Sequence, residues 1–165
     1  MRYYDTYDSP IGGLLLVASG GGLAGVYFDC QKHHPGKGRD WRGDPANPHL
    51  KRAKAQLAEY FAGTRKKFDL ALDPAGTDFQ KAVWQAICRV PFGDTMTYGE
   101  LAQRAGVPGS ARAAGAATGR NPIGIVVPCH RIVGADGSLT GFAGGLNKKR
   151  TLLALECALS GQLLA

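Results

Sequence analysis

Apolar positions recur with two different periods along the chain, and the change falls near residue 76. In the first stretch, residues 2–7, 14–18 and 23–28 are short runs rich in Tyr, Leu and Val. They are separated by Ser9-Pro10-Ile11-Gly12-Gly13 and Ser19-Gly20-Gly21-Gly22, which is turn chemistry. This pattern predicts an antiparallel meander. Residues 35–48 are dense in Gly, Pro and charge and read as a surface loop with little to bury. Leu50, Ala53, Leu57, Tyr60 and Phe61 then follow helical spacing up to Gly63, and residues 68–72 are a candidate last strand. Asp73-Pro74-Ala75-Gly76 is the predicted boundary, giving an N-terminal α/β domain over 1–76 and a mainly α-helical C-terminal domain over 77–165.

Beyond the boundary the period is that of helices. Thr77-Asp78-Phe79-Gln80 has the form of a capping box, and Phe79, Ala82, Val83, Ala86, Ile87 and Val90 make one apolar stripe before Pro91. Thr97-Tyr98-Gly99-Glu100 opens a second helix carrying Leu101, Ala102 and Ala105; Gly106-Val107-Pro108-Gly109 turns the chain, and Ser110 is the expected cap of a third, from Ala111 to about Gly119. Two short helices across a Gly-containing turn make a helix-turn-helix candidate. The second of them carries Ala111, Ala113, Ala114, Ala116 and Ala117, so only Arg112 and Arg120 project far. So little bulk suits either a buried packing helix or close approach to a nucleic-acid groove.

Charge favours the second reading. The 165 residues carry 20 Lys+Arg against 13 Asp+Glu, a formal +7 that points to a polyanionic partner. From Thr95 onward the cations are Arg104, Arg112, Arg120, Arg131, Lys148, Lys149 and Arg150, opposed only by Glu100, Asp136 and Glu156. Lys148-Lys149-Arg150 fall at the expected start of the last helix, where the macrodipole disfavours cations unless a phosphate is near. With 44% hydrophobic residues a core is expected and wholesale disorder is not. The start of the chain shows no basic-then-apolar leader, and no apolar run approaches the roughly 20 residues of a membrane span. A soluble, cytoplasmic protein is therefore expected.

Four cysteines stand at 30, 88, 129 and 157 without a C-x-x-C pair. Cys88 and Cys157 lie in predicted helices and read as small buried hydrophobes. Cys30, with His33, His34 and His49, sits in a polar loop whose spacing matches no zinc site, so an ordinary solvated cluster is expected and no metal or cofactor. Cys129 is different. The apolar run 123–127 reads as a buried strand-like segment that Pro128 ends, and Cys129, His130 and Arg131 follow at once. A thiol on a rigid segment beside an imidazole and a guanidinium has the ingredients for a lowered pKa. Glu156 lies on the same helical face as Leu152 and Leu159; buried there it needs a partner, and an imidazole suits, whereas at the edge of the stripe it would reach water.

Pro128-Cys129-His130-Arg131-Ile132-Val133, preceded by Asn121-Pro122 and followed by Gly144-Gly145-Leu146, closely resembles the O6-alkylguanine-DNA alkyltransferases, the methylated-DNA–protein-cysteine methyltransferases. Residues 76–80, 97–102 and 9–12 are similar to the same family's helical and hairpin signatures, so the resemblance spans nearly the whole chain and is loosest between Cys30 and Pro48. It implies a ribonuclease-H-like N-terminal domain and a winged-helix-like C-terminal one. It also implies irreversible transfer of an alkyl group from guanine O6, and by extension thymine O4, onto Cys129. His130 would accept the thiol proton through a water, Glu156 would orient His130, Tyr98 would supply the proton for the departing guanine, and Asn121 would brace the active-site turn.

The same resemblance implies that the nucleotide is flipped out and that Arg112 fills the gap, with the alanine-lined helix in the minor groove. Substrate contacts are expected from Arg112, Leu139, Phe142, Ala143 and Lys149, and DNA contacts from Arg104, Ala111, Arg112, Ala113, Arg120 and Arg131. Binding should be sequence-independent, by a protein monomeric in solution. Phe142 and Ala143 stand where family members often have tyrosine and serine, which bears on alkyl-group preference rather than on the reaction.

Overall fold

The computed structural model describes residues 1–29 and 31–160, with side chains through residue 157. The chain folds as two compact units, Met1–Ala75 with Pro122–Gly124, and Gly76–Asn121 with Ile125 onward.

The first unit is built on the predicted meander. Strands β1 (Tyr3–Ser9), β2 (Gly12–Ala18) and β3 (Leu23–Phe28) pair antiparallel, with Tyr3 opposite Ala18 and Leu14 opposite Phe28. Residues 42–43, within the segment read as loop, form a short fourth strand, β4 (Arg42–Gly43), parallel to β1, so the sheet order is β3-β2-β1-β4. That segment also has more to bury than its composition suggests. Trp41 and Tyr4 pack onto Leu15, Val17, Ala24 and Tyr27, closing one face of the sheet. The Arg2 guanidinium lies over the Trp41 ring and the Lys37 ammonium over Tyr4.

Helix α1 (Pro48–Phe61) starts where Asn47 Oδ1 accepts from the amides of His49 and Leu50 and Pro48 fixes the first turn. Its inner face is Leu50, Ala53, Leu57 and Tyr60. The expected strand over 68–72 does not form. The buried Gln56 amide takes both backbone groups of Asp69, at 2.9 and 3.0 Å, satisfying them without a ladder. Only one bridge, Leu23 to Leu72, remains. Farther along β3, Val26 exchanges two hydrogen bonds with Pro122 and Gly124, at 2.8 and 3.0 Å.

The second unit is helical. Thr77 and Gln80 complete the capping box of α2 (Asp78–Cys88). Trp84 Nε1 donates to the Ala117 carbonyl at 2.8 Å, tying α2 to α4 (Ala111–Gly119). Helices α3 (Tyr98–Arg104) and α4 are joined through Gly106 and Gly109, both at positive φ, which glycine adopts without steric cost. This is the predicted helix-turn-helix. Ser110 occupies the cap position of α4, but its side chain makes no capping bond, contrary to expectation. A parallel pair, β5 (Met96–Thr97) and β6 (Ile132–Val133), and a last helix, α5 (Leu146–Ser160), complete the unit. Among the described residues no helix is long and apolar enough to cross a membrane.

Two further expectations are corrected. Residues 123–127 form a tight turn rather than a strand, with Ile125 in the left-handed region at φ 68°, strained for a β-branched side chain. Cys88 is exposed, because α2 turns Val83, Trp84, Ala86 and Ile87 inward. Cys157 is only partly buried.

Candidate active site

Cys129 opens a 3-10 turn, Cys129–Arg131, that directly precedes β6. Its amide donates to Val127 O at 2.8 Å and its side chain is nearly buried. Asn121 Nδ2 donates to the same Val127 carbonyl at 2.9 Å, and the Asn121 side chain also hydrogen-bonds the Cys129 sulfur. One amide thus braces the turn and touches the thiol. Burial pushes the thiol pKa up, opposed by the Asn121 hydrogen bond and then by the Lys149 charge. The expected lowering by His130 and Arg131 is not what this environment does: Arg131 is paired with Glu156 and His130 carries no charge.

His130 and Glu156 are fully buried, with His130 Nε2 and Glu156 Oε2 2.6 Å apart. Arg131 joins them, with Nε on Glu156 Oε1 at 2.8 Å and Nη2 on Oε2 at 3.0 Å. Burial opposes ionisation of Glu156, but the His130 and Arg131 bonds outweigh it and bring its pKa down to about 2. Burial lowers the His130 pKa more than Glu156 raises it, so the ring is neutral. A neutral ring facing an ionised carboxylate must donate from Nε2, which leaves Nδ1 as an acceptor. Nδ1 is buried and has no hydrogen-bond partner among the described residues. A buried basic nitrogen one residue from a thiol is equipped to receive a proton.

Lys149 is an expected substrate contact and one of three cations, Lys148-Lys149-Arg150, whose place at the helix start a nearby phosphate would favour. It is instead fully buried, its Nζ donating to the carbonyls of Ile132 at 2.5 Å and Thr140 at 2.9 Å. Burial lowers its pKa to about 8, with the Cys129 charge opposing. Its donors are used internally, so it cannot serve as a phosphate contact. The same correction applies to Arg131 as a DNA contact: its side chain is 7% exposed and its donors end on Glu156 and Val90 O. Both placements were open to spacing arguments to different degrees. Lys149, Leu152, Leu153 and Glu156 share one helical face, so the spacing that turns Glu156 inward turns Lys149 inward as well. Arg131 sits in a 3-10 turn, where no period announces its direction.

Tyr98 lies at the start of α3, half-buried, its hydroxyl donating to Thr140 O at 3.2 Å. Burial raises its phenol pKa, and the nearby Cys129 charge adds to the rise. Thr140 O therefore accepts from both Tyr98 and Lys149, anchoring the segment that carries Leu139, Phe142 and Ala143, all half-buried. On α4, Ala114, Ala117 and Thr118 face inward, whereas Ala111, Arg112 and Ala113 are exposed, as are Arg104 on α3 and Arg120 after α4. The Ala-rich helix thus packs on one side and offers small residues and cations on the other. Of the Cys30 cluster, Cys30 lies outside the described residues, and the His34 ring lies tilted against Tyr27 while its Nδ1 accepts from Gly36 N.

Comparison with known proteins agrees with this geometry. Residues 2–74 match the model of the 6-O-methylguanine DNA methyltransferase ribonuclease-like domain, and residues 78–158 that of the 6-O-methylguanine DNA methyltransferase DNA binding domain. A methylated-DNA–protein-cysteine methyltransferase of Mycobacterium tuberculosis is 49% identical over 94% of this chain and 93% of its own. Its counterpart from Methanosarcina barkeri is 47% identical over 93% of this chain and 96% of its own. The crystal structure of Mycobacterium tuberculosis OGT in complex with DNA superposes with a TM-score of 0.88 at 47% identity, covering 95% of this chain and 94% of that one. Matched over both units and built around a cysteine turn braced by Asn121, the chain belongs to the 6-O-methylguanine DNA methyltransferase family.

Proposed function

We propose that this protein repairs DNA directly, taking an alkyl group from O6 of guanine, and by extension O4 of thymine, onto Cys129. The observation that carries the reading is the Asn121-braced thiol beside a neutral His130 whose Nδ1 is open and whose Nε2 is held by Glu156. In the transfer the Cys129 sulfur bonds to the alkyl carbon as the carbon–O6 bond breaks. The thiol proton passes, through a water, to His130 Nδ1. The guanine leaves neutral, its O6 side taking a proton from Tyr98, whose hydroxyl must first exchange Thr140 O for the base, and the proton held on His130 then restores the Tyr98 phenol by way of water. The thioether product is not hydrolysed by water, so each molecule acts once.

The exposed alanines and Arg112 of α4 suit a minor groove, with Arg112 entering the stack as the damaged nucleotide leaves it. Leu139 and Phe142 would wall the base pocket and the Ala143 amide would face its O6 edge. We assign residues 1–76 to an N-terminal structural domain and residues 77–165 to the domain that binds DNA and carries the chemistry. The protein is read as a cytoplasmic monomer that needs no cofactor and binds duplex DNA without sequence preference. Mass spectrometry after incubation with an oligonucleotide carrying O6-methylguanine tests the reaction. One added methyl on the Cys129 peptide, at one equivalent of lesion per protein, is expected, and none with Cys129→Ala, which still binds the DNA. Turnover beyond one equivalent, or transfer by the variant, overturns it.

A further inference from the structure

Each of the three Arg131 guanidinium nitrogens donates to a group inside the protein. Two of them form a fork on the Glu156 carboxylate, and Nη1 donates to Val90 O at 2.7 Å, just past the end of α2. The Phe92 ring lies 5.7 Å from the guanidinium carbon. Glu156 Oε2 thus receives donors from Arg131 and His130 at once. A buried carboxylate without a cation would draw a proton onto the imidazole, whereas one already matched by a guanidinium needs only a neutral N–H. The charged and titratable groups around His130 are Glu156 and Lys149 from α5, and Arg131 and Cys129 from its own turn. Burial opposes the imidazolium most strongly, Glu156 alone favours it, and Arg131 and then Lys149 add to the opposition.

Building on the reading of Cys129 as nucleophile, we infer that Arg131 is a positioning residue for the transfer: by neutralising Glu156 it keeps His130 an uncharged Nε2–H imidazole whose Nδ1 accepts the thiol proton. Arginine suits this place because its planar fork spans both carboxylate oxygens while a third N–H reaches Val90 O, a geometry one ammonium cannot copy.

The test is the pH dependence of methyl transfer from a saturating O6-methylguanine oligonucleotide, read by mass spectrometry in wild type, Arg131→Met and Arg131→Lys. In Arg131→Met the uncompensated carboxylate holds His130 protonated. The acid limb of the rate is expected to move up by about one pH unit, with a loss of about tenfold near neutrality that is regained in alkali. Arg131→Lys keeps the cation and should keep the wild-type limb, at a rate lowered a few-fold. DNA affinity should stay within about twofold in both, since Arg131 is nearly buried and its donors end on internal groups. An unmoved limb in Arg131→Met, or equal losses in both variants at every pH, overturns the inference. Should Arg131→Met fail to fold, nitrogen-15 NMR of His130 in Arg131→Gln and wild type decides: an imidazolium at neutral pH in the variant beside a neutral Nε2–H ring in wild type supports it, and the same protonation in both defeats it. No methyl on wild-type Cys129 would instead sink the nucleophile reading itself.

Discussion

Arg112 and Arg131 carry the same charge in the same unit, and the structure puts them to opposite uses. Arg131 is dry, with donors matched to Glu156 and Val90 O. Arg112 stands exposed on α4 between Ala111 and Ala113, and no ion pair involves it among the described residues. A sum of charges along the sequence counts both toward a polyanion. Burial separates them: only the exposed arginine has its charge left for an outside partner, while the interior one sets the protonation of its neighbours. The same contrast divides Lys149, closed over by carbonyls, from the exposed Arg150 beside it.

The largest effect is expected from breaking the interior side of this contrast. Glu156→Ala would leave Arg131 buried with no counter-ion, which costs about 3–5 kcal/mol. At roughly 2–4 °C per kcal/mol for a chain of this size, the thermal midpoint should fall by about 10 °C. Thermal unfolding followed by circular dichroism measures it, and a drop of less than about 2 °C would mean that water reaches the Arg131–Glu156 pair. Adding Arg131→Met to Glu156→Ala should recover part of the loss, because the stranded charge is then gone.

Acid should weaken the same cluster more gradually. The Glu156 carboxyl has a folded pKa of about 2, below the roughly 4.3 of an unfolded glutamate. With the folded value depressed, its stabilisation is complete above the unfolded pKa and is lost as pH falls through about 2, where both states are protonated. Urea midpoints measured from neutral pH down to about pH 2.5 should decline most steeply below about pH 4.3. Glu156→Gln, which cannot titrate, should flatten that decline; an equal slope in the variant would assign the acid sensitivity to other carboxylates.

How far these placements were legible in the sequence depends on whether a period or a fixed motif carried the signal. The β1–β3 meander and the Thr77 capping box follow from spacing alone, whereas spacing put Glu156 on the apolar face of its helix and left open the burial that the structure shows. Elsewhere a side chain from another element overruled the local pattern. Gln56 satisfies Asp69 and removes a strand, and Trp41 gives a Gly- and Pro-rich segment an apolar face to cover. Within the site, Cys129 and His130 were marked by the family motif, but the environment of the thiol was not. Charges adjacent in sequence suggested a lowered pKa, whereas burial raises it, because Arg131 spends its charge on Glu156 and His130 is neutral. Asn121 touching the sulfur depends on the turn through Ile125, a conformation that sequence reasoning disfavours for a β-branched residue.

The exposed side of the contrast gives the smallest structural effect and the most selective functional one. Arg112→Ala removes a solvated side chain from α4, and stability should change by no more than about 0.5 kcal/mol. If the side chain fills the space of a flipped nucleotide, its loss penalises only substrates that must be unstacked, a cost of about a few kcal/mol in duplex DNA and absent for a free base. Repair of O6-methylguanine in duplex should therefore slow by about tenfold, corresponding to about 1.4 kcal/mol of that cost, while reaction with free O6-benzylguanine stays near the wild-type rate. Arg112→Lys separates shape from charge: a phosphate contact would be largely kept by lysine, whereas a stacked planar group would not. Equal slowing on duplex and free base in Arg112→Ala would remove Arg112 from the flipping step and return α4 to the role of a packing helix with a charged rim.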